Sequence, residues 1–167
     1  MPSRESSPRD PEIALRPVAE TDREFLLSVY ASTREAELAQ VEWPPGGKEA
    51  FLHQQFEAQD SYWREQRPDA VFQVIEVGGE PAGRLYVDAK PDDVRIVDIA
   101  LLPEFRGRGV GTALLGEIIE RADAAGTPVT IHVEQQNPAR SLYERLGFEQ
   151  IATHGIYDLL ERSPAPR

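Results

Sequence analysis

Between a long β-branched run and an amphipathic segment, three glycines stand at alternate positions, and this junction constrains the chain more than any other stretch. The run is Val94-Arg95-Ile96-Val97-Asp98-Ile99-Ala100-Leu101-Leu102, stopped by Pro103. Gly107, Gly109 and Gly111 follow. From Gly109 to Ala125, apolar residues recur at Val110, Ala113, Leu114, Ile118, Ile119 and Ala122, the spacing of one helical face. Glycine lets backbone approach a ligand closely and tolerates positive φ. The first N–H groups of a helix lack intrahelical partners and sit at its positive dipole end. Together they make a site for a phosphate or pyrophosphate, to which Arg106 and Arg108 add charge. A plain glycine-rich entry to a helix is the alternative. Neither nucleotide fingerprint fits. The sixth position is Thr112 counted from Gly107 and Leu114 from Gly109, and Gly47-Lys48 is followed by Glu49 rather than Ser or Thr.

The rest of the chain reads as one domain, because 167 residues exceed by little the roughly 150 expected of a domain. Residues 1–11 and 163–167, with their Pro and Ser scatter, read as tails around a domain at 12–162. Ile13 to Val18 alternates as a short strand. Thr21 or Asp22 caps a helix carrying Phe25, Leu26, Val29, Tyr30 and Leu38. Trp43-Pro44-Pro45-Gly46-Gly47 breaks it, and a second helix runs from about Lys48 to Gln66. Val71 to Val77 and Arg84 to Asp88 read as strands joined through Gly78-Gly79, and Pro91-Asp92-Asp93 turns into the long strand. Gly126 ends the third helix, and Val129 to Glu134 is a further strand. Asn137-Pro138 opens a short helix, Asn as N-cap and Pro at the first helical position, closed by Gly147. Phe148 to Thr153 and Ile156 to Leu160 are the last strands. This order predicts a mixed α/β (α+β) domain: a mostly antiparallel sheet of six or seven strands flanked by about four helices on both faces.

Composition excludes several classes. Without cysteine there is no disulfide, no cysteinyl nucleophile and no thiolate metal site. No apolar run approaches the roughly 20 residues that span a bilayer, and residues 1–12 hold no secretory h-region, so a cytoplasmic protein is expected. The net charge of −11 repels nucleic acid and would attract a cationic small molecule, although solubility alone explains it too. Three scattered histidines argue against a metal site.

Arg106-x-x-Gly109-x-Gly111 is closely similar to the Arg/Gln-x-x-Gly-x-Gly/Ala signature of the GNAT N-acetyltransferases. Downstream, Asn137-Pro138-Ala139-Arg140-Ser141-Leu142-Tyr143-Glu144-Arg145-Leu146-Gly147-Phe148 resembles that family's second signature, Asn-x-x-Ala-x-x-Leu-Tyr-x-x-x-Gly-Phe, with one residue rather than two between Asn137 and Ala139. The match covers Val94 to Phe148, about a third of the chain. The resemblance implies acetyl-CoA as cofactor and a splayed sheet. The strand equivalent to Val94–Leu102 bulges and parts from Val129–Glu134, the pantetheine arm bonds near Leu101 and Leu102, and the pyrophosphate rests on N–H groups from Arg106 to Thr112 (Gly107, Arg108, Gly109, Val110 and Gly111 between them).

Tyr143 is then the expected donor to the leaving thiolate, with core packing beside Leu142 and Leu146 as the alternative. Asn137 either bonds the pantetheine arm or only caps its helix. Deprotonation of the amine falls to Asp98, Glu134, His132 or a water chain. Gln55 and Gln59 lie near the apolar stripe Leu52, Phe56, Trp63 and either line an acceptor cavity or reach solvent. The expected activity is acetyl transfer to a primary amine of a small molecule, or of a peptide, in a ternary complex, by a monomer or homodimer. A non-catalytic CoA-binding module of the same fold and a protein-interaction domain are the rivals.

Overall fold

The computed structural model describes residues 12–166; the tail expected at residues 1–11, and Arg167, lie outside them. The described chain runs β1 (Ile13–Pro17), a 3-10 turn (Glu20–Asp22), α1 (Arg23–Leu38), α2 (Gly47–Gln66), β2 (Val71–Val77), β3 (Glu80–Lys90), β4 (Asp93–Leu101), a 3-10 turn (Pro103–Phe105), α3 (Val110–Ala125), β5 (Val129–Glu134), α4 (Arg140–Arg145), β6 (Glu149–His154) and β7 (Tyr157–Arg162). Seven strands form one sheet in the order β1-β2-β3-β4-β5-β7-β6. Only β4 and β5 are parallel neighbours; the other adjacent pairs are antiparallel. The expected mixed, mostly antiparallel sheet with four α-helices is what forms.

Strand alternation sets two cores. Ile75, Leu85, Ile96, Ile131, Val133 and Leu160 pack with Leu114 and Leu115 of α3 and Tyr143 of α4. On the opposite face, Leu26, Tyr30, Leu38, Leu52 and Phe56 join α1 to α2, and Trp63 of α2 meets Tyr86 of β3 edge-on at 5.8 Å. Burial of these side chains stabilises each layer by about 1.5–3 kcal/mol per fully covered residue.

The hairpins follow their turn chemistry. Gly78 and Gly79 both take positive φ (59° and 83°) between Val77 and Glu80, the two-residue turn that matches strand twist. The strand expected at Arg84–Asp88 is longer, because its pairing with β4 continues to Lys90 opposite Asp93. Asp22 stands before α1, but its carboxylate reaches backwards, accepting the Ala19 N–H at 2.7 Å and a two-pronged contact from Arg16 at 2.9 Å on each oxygen. It braces the β1–α1 corner instead of the first helical amides. Asn137 is not the N-cap expected of it, nor is Pro138 the first helical residue: α4 begins at Arg140 with Ala139 before it and no side-chain cap. Asn137 Oδ1 instead accepts the Ala139 N–H at 2.8 Å, closing a turn two residues upstream. Within the expected C-terminal tail, Ala165 N–H is tied to Asp123 at 2.9 Å.

Two features of β4 position everything that follows. Its parallel pairing with β5 ends at Ile96 opposite Ile131. One residue further, Val97 is skipped in the β3 register, which passes from Val87–Ile96 to Tyr86–Asp98. A bulge of this kind bends and twists the strand locally. Beyond it, β4 and β5 run without pairing, and among the described residues the β5-side backbone edge of β4 from Val97 to Leu101 has no strand partner.

Candidate active site

The parted strands open into a cleft of about 1420 Å³, the larger of the two cavities described. At one end lies the glycine loop. Gly107 and Gly109 hold φ of +74° and +80°, a region side chains disfavour by about 1–2 kcal/mol. The first helical bond of α3 runs from Ala113 N–H to the Gly109 carbonyl. Among the described residues, the N–H groups from Gly107 to Thr112 make no backbone bond of their own. Unpaired amides at a helix N-terminus form an anion cradle.

The structure divides the expected cofactor residues. Gly107, Gly109, Val110, Gly111, Thr112, Arg106, Leu101 and Asn137 line the cleft. Arg106 folds back, donating from Nε to the Leu101 carbonyl at 2.9 Å and from Nη2 to Ser32 Oγ at 3.3 Å. Arg108 is exposed with its guanidinium over Phe105 at 5.4 Å, and Leu102 donates its N–H to the Ala82 carbonyl at 2.8 Å; neither lines the cleft.

Tyr143 lines the cleft, 5% exposed and packed edge-on against Phe148 at 5.7 Å. Its hydroxyl makes no protein hydrogen bond among the described residues. Burial first, and the charge of Asp98 second, push the phenol above its ordinary range, so it keeps its proton. Tyr143 belongs to the core cluster and also lines the cleft, so core packing and a place at the cleft do not exclude each other.

All three candidates for taking the amine's proton line the cleft, and each is held by an arginine that sequence reading did not connect to it. Asp98 Oδ2 accepts from Arg84 Nε at 2.6 Å. Glu134 Oε1 accepts from Arg34 Nη1 at 3.0 Å, across from α1 to β5. His132 Nδ1 faces Arg95 Nη1 at 3.2 Å. Burial, then the charges of Arg95, His154 and Arg67, hold that imidazole below its ordinary value and therefore neutral. Arg84 is itself buried, stacks at 5.3 Å over Trp63 and bonds Gln59 Oε1 at 3.2 Å. Gln59 thus reaches the cleft; Gln55 is exposed and does not line it. The hint in the sequence was Arg84 itself, a charge inside a strand run whose burial demands a carboxylate.

The net charge of −11 is compatible either with attraction of a cationic small molecule or with solubility alone. The cleft lining carries Arg34, Arg67, Arg84, Arg95, Arg106 and Arg145 against Glu37, Asp98 and Glu134. Local placement of the few basic residues reverses the sign of the whole.

Residues 33–148 match the Acetyltransferase (GNAT) family. An uncharacterized N-acetyltransferase of Methanocaldococcus jannaschii is 37% identical over 98 residues, 53% of this chain and 43% of that protein. A Bacillus subtilis protein, provisionally named a ribosomal protein bS18-alanine N-acetyltransferase, is 32% identical over 108 residues, 63% of this chain and 65% of its own length. The matched segment therefore spans less than two thirds of either relative. Among solved structures, the coenzyme A complex of PaiA N-acetyltransferase from Thermoplasma acidophilum superposes with a TM-score of 0.67 over 91% of this chain and 99% of that one, at 20% identity. The ribosomal-protein-S18-alanine N-acetyltransferase of Escherichia coli does so with a TM-score of 0.55 over 90% and 91%, also at 20% identity. At such identity these likenesses concern the fold.

Proposed function

The chain belongs to the GNAT acetyltransferase family, and from that premise we propose that it transfers an acetyl group from acetyl-CoA to a primary amine by direct attack in a ternary complex. The observation that carries this reading is the coincidence of three features lining one cleft: free loop amides, an unpaired β4 edge, and a phenol with an unbonded hydroxyl. Residues present fit the cofactor. Loop amides from Gly107 to Thr112, with Arg106 beside them, would hold its pyrophosphate, and the unpaired β4 backbone up to Leu101, with Asn137 in the same cleft, would hold its pantetheine amides. Acetyl-CoA, when bound, supplies a thioester acyl group.

The protein's own groups then do the rest. With no cysteine, no cysteinyl acyl-enzyme forms. Tyr143 would offer its phenolic O–H as a hydrogen-bond donor to the thioester sulfur, and burial, by raising its pKa, keeps that proton in place. An alkylammonium has an ordinary pKa of about 10.4 and must lose a proton before attacking. Asp98 and Glu134 each bond arginine through one oxygen, and the second oxygen of either accepts that proton directly or through water. Gln59 lies on the acceptor side, whereas Gln55 takes no part.

The acceptor is a small amine-bearing molecule. A peptide N-terminus is the second reading, favoured by the names of the relatives above. The test is release of CoA from acetyl-CoA against polyamines, amino acids, aminoglycosides and alanine-headed peptides. Cofactor binding with no turnover on any amine would favour a regulatory module, and no cofactor binding would point to an interaction domain.

A further inference from the structure

On the acceptor side of the cleft, Arg67 just after α2, Arg95 of β4, His132 of β5 and His154 of β6 come together. Arg95 is half-buried, bonds Thr130 Oγ1 at 2.8 Å and faces His132 at 3.2 Å. His132 and His154 stack edge-on at 5.4 Å. Among the described residues, no carboxylate stands within ion-pair distance of Arg95, in a chain with 29 acids against 18 basic residues. Asp93 reaches it only through the Thr130 hydroxyl, at 2.9 Å. The other acceptor-side arginines are matched: Arg34 by Glu37 and Glu134, Arg67 by Asp88, and Arg84 by Asp98.

A guanidinium that gives up water without a counter-charge is held at a cost. Burial first, and the charge of Arg67 second, lower the proton affinity of Arg95, outweighing the attraction of Asp93 and Asp88, neither of which reaches ion-pair distance. An anion placed there would relieve that cost. The geometry points to an acceptor that carries, besides its amine, a carboxylate held by Arg95 at this end of the cleft. The inference rests on the acetyltransferase reading above. His132 and Glu134 stand two residues apart on one face of β5, about 6.6 Å along the strand. Amine and carboxylate should therefore be separated by a chain of roughly that length, which describes a small ω-amino acid.

The experiment compares 5-aminopentanoate with pentylamine, which share the amine and differ in the anion. Each is assayed for CoA release and, separately, for binding by calorimetry. Aminopentanoate should exceed pentylamine tenfold or more in kcat/KM. Arg95→Gln should collapse that ratio, while Arg95→Lys, which keeps the charge, should retain part of it. A thermal melt establishes that each variant is folded, and should Arg95→Gln fail it, the Arg95→Lys ratio decides. Equal kcat/KM for the two amines, or a ratio untouched by either variant, overturns the proposal. If neither amine is acetylated, the acetyltransferase reading suffers, and calorimetry still decides this one: tighter binding of aminopentanoate, weakened by substitution of Arg95, supports it, and equal or absent binding sinks it.

Discussion

In the reaction proposed above, a single oxygen of Tyr143 carries the chemistry, while the ring packs against Phe148. Tyr143→Phe should keep the fold and the cofactor affinity but lower turnover by roughly 10²-fold, near the lower end of acid–base contributions. Because burial raises the phenol above its ordinary value near 10, ionisation of Tyr143 should impose no alkaline fall in rate up to that pH. Normal turnover in the phenylalanine variant would return Tyr143 to a packing role. The glycine loop separates charge from strain. Gly109→Asp places a carboxylate in the anion cradle and also forces a side chain into φ +80°. Gly111 has no positive φ, and a Cβ there meets open space. Gly111→Asp should therefore weaken cofactor binding tenfold or more, about 1.4 kcal/mol, with no loss of thermal stability. Gly109→Asp should lose both. Calorimetric affinity for acetyl-CoA that survives Gly111→Asp would remove the loop from the site.

The element that organises the site is β4. Its bulge at Val97 and the end of its pairing at Ile96 separate it from β5, and Gly83 holds its other flank at close range. A Cβ on Gly83 would lie 2.1 Å from the Ala100 carbonyl oxygen, on backbone that cannot step aside cheaply. Gly83→Ala should cost about 1–3 kcal/mol, the range for overpacking. Because the strain lands on Ala100 and Leu101, cofactor affinity should fall with it. A denaturant midpoint equal to the parent's would show that β4 yields freely. The helix α4, only six residues long, is fastened at its start by Arg140 to Asp158 of β7, with Gln135 and Thr153 on the same carboxylate. That clamp keeps Tyr143 against the cleft.

Across the whole molecule, acid should act through such clamps. Asp22, Asp123 and Asp158 are held below the usual carboxylate range by hydrogen bonds from Arg16, Arg162 and Arg140. Depressed folded-state values stabilise the protein above the unfolded pKa of about 3.9, and that stability is lost as pH falls through the folded values. Denaturation midpoints should hold from pH 7 to 5 and decline steeply below about 4. Asp22→Asn should flatten part of the decline; a midpoint independent of pH down to 3 would contradict it. The molecule's charge also shows why a global figure misleads. A balance of −11 describes the surface as a whole, whereas arginines outnumber acids in the cleft lining.

Local rules made much of this legible in one dimension. Glycine pairs, Asn137 before its helix, and the alternate glycines before α3 encode backbone geometry within a few residues. From that geometry the elements, the two hairpins and the anion loop follow. The face of a strand is legible too, since alternation needs no partner. What faces it is not. Arg34 meets Glu134 across 100 positions, Arg95 meets His132 across 37 and Arg84 meets Asp98 across 14. Sequence periodicity says which way a side chain points, but a charge pair depends on which strands lie side by side and where their register breaks. The arginine held against each candidate proton acceptor, the exclusion of Gln55 and the excess of arginines over acids in the cleft lining were therefore decided only when the sheet closed and then parted at Ile96, because electrostatics depends on distance in space and not along the chain.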